Sequence, residues 1–254
     1  MLYLTKSDVM SLNLDMQSII NVVEEGFRRK GLGETQMPPK IAIHPRAGST
    51  FLHAMPAFVG GLDIAGVKWV GGADDNWQRG LPTISGLIVL NDPDTMVPLA
   101  IMDCIWITAM RTAAANAVAM KYLGPKDARE AAIIGCGAQG RSNLIGVSTA
   151  YPNLRQIRVY DVSPEALAKY VTEMREKTGL PIEAAASPEA AVRGADVIVT
   201  AGLSPRDPDP YLEAEWLKPG AMAAPVDYNG AWKTEAYTAV DRLITDDHGQ
   251  MDYY

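Results

Sequence analysis

The spacing of apolar positions changes period twice along this chain. Over residues 14–31, Met16, Ile19, Ile20, Val23 and Phe27 recur at helical spacing. That stretch is expected as an amphipathic helix, stopped by Gly31 and Gly33. Short β-like runs follow at 40–44, 51–58, 64–70, 83–90 and 97–102, punctuated by Gly, Pro and Asn-Asp. Asn91-Asp92-Pro93-Asp94 is a turn signal, so the last two runs are expected to form a hairpin. The segment reads as a mostly antiparallel sheet with a flanking helix. Residues 104–123 then read as a long helix closed by Gly124-Pro125 and rich in alanine (Ala109, Ala113, Ala114, Ala115, Ala117, Ala119). Such small side chains let a helix sit close to a neighbour or a ligand.

From about residue 129 strands and helices alternate. Strands are expected at 131–134, 157–161, 182–186, 195–201, 221–227 and 242–246, and helices at 164–178, 188–193, 212–217 and 231–239. Such alternation implies a parallel, doubly wound sheet. Six strands make a complete Rossmann unit. The fold class is therefore α/β: a Rossmann-type doubly wound parallel sheet over 124–254, preceded by an α+β domain over 1–123.

The junction after the first of these strands carries the strongest chemical signal. Ala131-Ala132-Ile133-Ile134 runs into Gly135-Cys136-Gly137-Ala138-Gln139-Gly140, a G-x-G-x-x-G turn, and a helix-compatible stretch follows. Gly135 permits the tight turn, Gly137 lets backbone amides approach a pyrophosphate, and Gly140 lets helix and strand pack closely. The helix N-terminus offers unpaired amides and a partial positive charge to the phosphates. The next strand ends at Asp161, 21 residues past Gly140, close to the ~20 typical of a ribose-binding acid. A carboxylate there accepts hydrogen bonds from the ribose hydroxyls of NAD and repels the 2′-phosphate of NADP. Val162, Ser163 and Pro164 follow, so no adjacent cation offsets that repulsion. NAD is the expected cofactor.

Composition narrows the remaining classes. The chain has 254 residues, 48% hydrophobic and 21% charged, with a net charge of −7. That supports a sizeable core and argues against a nucleic-acid surface, for which no Lys/Arg cluster exists. Cys104 and Cys136 sit in unrelated contexts, and His44, His53 and His248 are scattered. No disulfide framework and no metal site are expected, and a reducing cytoplasm fits. The N-terminus does not read as a signal peptide, and no run approaches the ~18 apolar residues that span a membrane.

Four further residues have two readings each. Arg111 among alanines is either a snorkelling surface arginine or a guanidinium that clamps a carboxylate. Lys68, on one strand face with Gly66 and Val70, is either a solvent-facing edge lysine or a proton-shuttling group of depressed pKa. Lys40, after Pro38-Pro39, reads alone as surface. Asp227, ending the fifth Rossmann strand, is either a turn acid or a carboxylate at the ligand crevice.

Six segments together resemble the ornithine cyclodeaminase / mu-crystallin family. They are Ala54-Met55-Pro56-Ala57, Gly66-Val67-Lys68-Trp69-Val70, Ser85-Gly86-Leu87-Ile88-Val89-Leu90, Arg111-Thr112-Ala113-Ala114, the glycine loop, and Glu215-Trp216-Leu217-Lys218-Pro219-Gly220. The resemblance implies a Rossmann domain paired with an α+β domain that binds substrate and forms a homodimer. It implies NAD(P)(H) binding and action on small amino or imino acids. It matches Lys68 and Asp227 to catalytic groups, and Arg111, with Lys40 and Lys68, to substrate carboxylate binding. The expected cofactor contacts are Gly135, Gly137, Ala138, Gln139, Gly140 and Asp161, together with Thr112, Thr200 and Ala201. Two departures stand out: Lys40 replaces a frequent family arginine, and Pro225-Val226 precede Asp227 where cyclodeaminases have glycines. Family members also continue beyond the position of Tyr253-Tyr254, so a C-terminal segment that returns to the first domain is expected to be missing.

The leading expectation is an NAD-dependent oxidoreductase acting on the C–N bond of a small amino acid or cyclic imino acid. The alternatives are an ornithine cyclodeaminase-type ammonia lyase that uses NAD catalytically, and a non-catalytic NAD-binding protein of mu-crystallin type. Substrate side-chain contacts are expected in loops such as 71–79.

Overall fold

The Asp15 carboxylate accepts a hydrogen bond from the Ser18 amide at 2.7 Å, so the first amphipathic run starts with a side-chain N-cap. The computed structural model describes residues 1–46, 50–203, 207–228 and 230–253. Its contacts divide the chain into two units, Met1–Thr108 with Ile244–Tyr254, and Ala109–Leu243.

The first unit contains β1 (Leu2–Leu4), α1 (Lys6–Ser11), α2 (Met16–Gly31), β2 (Thr35–Gln36), β3 (Ile41–Ile43), β4 (Thr50–Val59), β5 (Ile64–Ala73), β6 (Ile84–Asn91) and β7 (Pro98–Asp103). Helix α2 buries Met16 and Ile20, two of the positions its period selects. The strands form one sheet in the order β1-β7-β6-β5-β4-β2, with β3 also paired to β4. Neighbours are antiparallel except β1 and β7, which run parallel. The expected hairpin is β6–β7, and its turn is closed by the Asp92 carboxylate, which accepts from the Thr95 amide at 2.8 Å and hydroxyl at 2.7 Å. Strand β1 carries too few residues for a period to show in sequence. Strand β5 reaches Ala73, so the expected loop over 71–79 begins as strand and continues into a 3₁₀ turn at Asn76–Arg79.

The second unit holds most of α3 (Ile105–Leu123), then β8 (Glu130–Ile134), α4 (Ala138–Ala150), β9 (Gln156–Tyr160), α5 (Pro164–Thr178), β10 (Ile182–Ala184), α6 (Pro188–Val192), β11 (Val197–Thr200), β12 (Met222–Pro225) and α7 (Thr234–Ala239). Its sheet is entirely parallel, in the order β10-β9-β8-β11-β12. Strand β8 is buried on both faces, which is why it reads as an apolar run and not as an alternation. One side is covered by residues of α3, α4 and α5, among them Met120, Leu144, Val147, Tyr170 and Met174. The other is covered by α6, α7 and the segments around Leu212 and Trp232.

Three expectations need correction. The sheet has five strands, because residues 242–246 form none: Leu243 and Ile244 are 54% and 55% exposed, and no sheet edge pairs with them. Instead the chain from Ile244 belongs with the first unit, where Lys30 donates to the Asp246 carbonyl at 2.9 Å and pairs with the Asp247 carboxylate ahead of α8 (His248–Tyr253). The helix expected at 212–217 is only a 3₁₀ turn, Ala214–Trp216. The division between units falls at 108/109 and not at 123/124, because α3 packs tightly on α4. A Cβ on Gly146 would lie 2.8 Å from the Ala113 carbonyl oxygen, and the Asn116 amide group donates to Asn143 Oδ1 at 2.7 Å. The alanines of α3 permit that approach.

Candidate functional site

In the second unit, four chain segments end at the carboxyl edge of the parallel sheet, where the strand order reverses between β8 and β11. Open α/β sheets bind ligands at such a point. The glycine loop lies there. Gly135 has φ +102°, and a Cβ on it would sit 2.5 Å from the Ala201 carbonyl oxygen. A Cβ on Gly140 would come within 1.9 Å of the Gly135 carbonyl oxygen. Both positions need glycine for the fold itself.

Gly137 differs. It is the N-cap of α4 with an ordinary φ of −76°, no side chain caps the helix, and a Cβ there would meet nothing within 4 Å. Gly137 and Ala138 are exposed and Gln139 is half-buried. The uncapped first turn and the open space above it therefore form a cradle of the kind a pyrophosphate occupies. The residues present fit a dinucleotide.

Asp161 is built into the same loop. Its Oδ2 accepts from the Cys136 amide at 2.7 Å and its Oδ1 from the Ser163 amide at 2.9 Å, while the Gly135 amide donates to the Tyr160 carbonyl at 2.8 Å. Arg141 grips the loop from outside. It donates to the Cys136 and Gly137 carbonyls, pairs with Glu173 at 2.8 Å, and lies 5.2 Å from the Tyr170 ring centroid. The Tyr170 hydroxyl donates to the Gly140 carbonyl at 3.0 Å. Burial and the nearby Asp161 charge push the Cys136 thiol up to about 12, so it fills space as a neutral group.

Thr200 and Asp227 close the adjacent strand ends. Asp227 is 2% exposed. Its Oδ1 accepts from the Thr200 hydroxyl at 2.6 Å and its Oδ2 from the Gly202 amide at 3.1 Å. Burial raises its pKa above the usual carboxylate range, against these two donors, which favour the charged form. Thr200 is fully buried, and the Ala201 amide donates to the Ile134 carbonyl at 2.7 Å. Asn229, in the turn that follows, lies outside the described residues.

Arg111 and Thr112 lie on α3, two and three residues past the start of the second unit, with Arg111 exposed and Thr112 half-buried.

In the first unit, strand pairing collects the basic residues. Lys68 lies opposite Met55 on β4 and Ile88 on β6, so β5 is an interior strand and the edge-lysine reading does not hold. His53 lies opposite Val70 and Ala42. Alternation therefore puts Lys40, His44, His53 and Lys68 on one face of the sheet. Lys40 is buried at 6% exposure, and Lys68 and His53 are half-buried. Desolvation, followed by the charges of Lys40, His44 and Lys68, holds the His53 imidazole down at about 4. It is neutral at physiological pH. The opposite face exposes Tyr3, Ile41, Ile43, Trp69 and Leu87, between 45% and 69% each.

The model of the ornithine cyclodeaminase/mu-crystallin family matches residues 1–237. The chain belongs to this family. It is 38% identical to the nodulation efficiency protein NfeD of Rhizobium meliloti, over 99% of this chain and 77% of that protein. It is 35% identical to the alanine dehydrogenase of Archaeoglobus fulgidus, over 99% of this chain and 76% of that one. Among solved structures it matches the Δ1-pyrroline-2-carboxylate reductase of Thermococcus litoralis in complex with NADH and L-proline. That match has 32% identity and a TM-score of 0.87, and covers 93% of this chain and 73% of the other. The chain thus spans about three quarters of each relative's length. No helix among the described residues is long and apolar enough to cross a membrane.

Sequence reasoning missed three residues, one in the first unit and two in the second. A scattered histidine such as His53 carries no signal by itself; aligning the 51–58 and 64–70 runs as a hairpin puts it on the Lys68 face. Tyr170 had no signal, because its contact to the Gly140 carbonyl appears only when α5 packs on α4, and the same packing supplies Glu173 and the Tyr170 ring to Arg141.

Proposed function

We propose that this chain is an NAD-dependent oxidoreductase acting on the C–N bond of a small amino acid or cyclic imino acid. The observation that carries this reading is the open cradle at Gly137, with Asp161 one strand over. Membership in the family and likeness to an alanine dehydrogenase and an imino-acid reductase support it. When bound, the nicotinamide exchanges a hydride with the substrate Cα.

The chain's own residues position the substrate and move the proton. Arg111, Lys40 and Lys68 hold the carboxylate, Arg111 through its two-pronged guanidinium. Fixing Cα in a reactive orientation accounts for much of the catalysis. Asp227 or Lys68 takes up or returns the proton at the substrate nitrogen. Ala138 and Gln139, with Gly135, Gly137 and Gly140, receive the pyrophosphate, Asp161 the ribose, and Thr112, Thr200 and Ala201 complete the cofactor contacts.

Steady-state assays of the full chain test this. NAD with L-alanine or L-proline, and NADH with Δ1-pyrroline-2-carboxylate, are expected to give net change in NADH absorbance. Ammonia and proline from L-ornithine with no net NADH would establish the lyase instead. NAD binding without turnover of any amino or imino acid would leave a non-catalytic binding protein.

We also propose a homodimer in the cytoplasm. The exposed apolar face carrying Trp69 and Leu87 supports self-association, and the free buried thiols Cys104 and Cys136 fit a reducing compartment. Trp69→Asp is expected to halve the mass measured by sedimentation. A wild-type monomer at micromolar concentration refutes the dimer.

A further inference from the structure

The residue that leads into the first turn of α4 is fixed at both ends. The Cys136 amide donates to Asp161 Oδ2 at 2.7 Å, and the Cys136 carbonyl accepts from the Arg141 guanidinium. The same guanidinium donates to the Gly137 carbonyl at 3.3 Å, which also accepts from the Arg141 amide at 3.1 Å. Carbonyl and amide point in opposite directions across a trans peptide. Both carbonyls turn toward Arg141, so the Gly137 and Ala138 amides face away from it. These amides are the orphan donors of a helix start: no side chain caps α4, and Gly137 and Ala138 are both exposed.

Arg141 is itself held in place. Glu173 pairs with it at 2.8 Å, and the Tyr170 ring centroid lies 5.2 Å from the guanidinium carbon. Tyr170 and Glu173 stand three residues apart on α5, on one face of that helix. Side chains of a helix lean toward its N-terminus, which is why Arg141, one turn into α4, reaches back to the loop ahead of it. The Glu173 carboxylate offsets the guanidinium charge. What Arg141 gives an anion at this loop is therefore the direction of two amides more than its own attraction.

We propose that Arg141 is a positioning residue for the cofactor: by holding the Cys136 and Gly137 carbonyls it fixes the Gly137 and Ala138 amides in the direction a diphosphate needs, and so sets the affinity of the loop. This rests on the cofactor site assigned under the proposed function. Donors fixed before the ligand arrives lose little freedom on binding, and that saving appears as affinity. Without the guanidinium the Cys136–Gly137 peptide can rotate, and each diphosphate bound must then order it.

The test is titration of the full chain with NAD and with ADP, which share the diphosphate. Thermal unfolding without nucleotide reports the fold separately. Arg141→Met is expected to weaken both ligands by the same factor, about tenfold or more. Arg141→Lys keeps the charge but has a single point donor in place of the fork, and is expected to fall between wild type and Arg141→Met. The ratio of wild-type to Arg141→Met affinity is expected to persist in about 1 M sodium chloride, where the Debye length is about 3 Å. A ratio that vanishes in high salt would make the effect charge attraction and overturn the inference. So would a loss confined to NAD, or wild-type affinity in a folded Arg141→Met protein whose melting temperature alone has dropped. In each of these cases wild-type binding leaves the oxidoreductase standing. Wild-type protein that binds neither NAD nor ADP overturns the proposed function and this inference with it.

Discussion

Gly137→Val is expected to lower NAD affinity by about a hundredfold or more, roughly 3 kcal/mol, while the protein stays folded. The reason is the contrast within one loop. A side chain at Gly137 clashes with nothing in the protein, since a Cβ there has no neighbour within 4 Å and φ is −76°. It projects into the space above the first turn of α4 that the pyrophosphate would fill. The only penalty to the fold is a poorer N-cap, about 1 kcal/mol. Gly140→Ala behaves differently. Its Cβ would lie 1.9 Å from the Gly135 carbonyl oxygen, so strand β8 and helix α4 must separate. Overpacking of this kind costs about 1–3 kcal/mol or more, so the melting temperature falls along with binding. Calorimetric titration with NAD, paired with thermal unfolding, separates the two. Wild-type affinity in a folded Gly137→Val protein would show that the dinucleotide does not use this cradle.

Asp227→Asn is expected to cut turnover by about 10²–10⁴, the usual contribution of a positioned proton-transfer group, with NAD affinity changed only a few-fold. The carboxamide has the same shape, and its oxygen can still accept from the Thr200 hydroxyl or the Gly202 amide. The pH profile carries the sign. Burial raises the Asp227 pKa, so the carboxyl stays protonated to a higher pH than a surface aspartate. Acting as a base in amino-acid oxidation it must be ionised, so kcat should rise with pH through that elevated value. The acidic limb should therefore lie above the ordinary carboxylate range and vanish in Asp227→Asn. An unchanged kcat in the variant, or an unchanged limb, would leave Asp227 as a strand-end tie between β11 and β12 and move proton transfer to Lys68.

The cofactor half of the site was readable because its information is local. Gly135, Gly137 and Gly140 occupy fixed offsets in one turn, and Asp161 follows at the distance one helix and one strand impose. Each carries its own physical constraint, and the structure keeps them together: Asp161 reaches the Cys136 amide, and Gly140 rests against the Gly135 carbonyl. The long alanine helix was legible for the same reason, but what it packs on was not. Ala113 meets Gly146 across thirty-odd residues of sequence, and that contact moves the boundary between units to 108/109. The sixth strand failed because apolar residues at 242–246 satisfy a strand pattern without supplying a partner edge. Backbone hydrogen bonding across strands is a property of two segments.

The amino-acid sequence alone determined the α/β class, the strand–loop–helix that receives a dinucleotide and the acid one strand over, since period and spacing along the chain are enough to specify them; the family followed from the resemblance of whole segments. Tertiary structure alone decided which side chains share a face or a hydrogen bond. Register placed His53 on the same sheet face as Lys68, and the parallel alignment of β11 with β12 put the Asp227 carboxylate 2.6 Å from the Thr200 hydroxyl. A shift of one residue in strand pairing sends every side chain to the other face, so no inspection of either strand by itself contains that outcome.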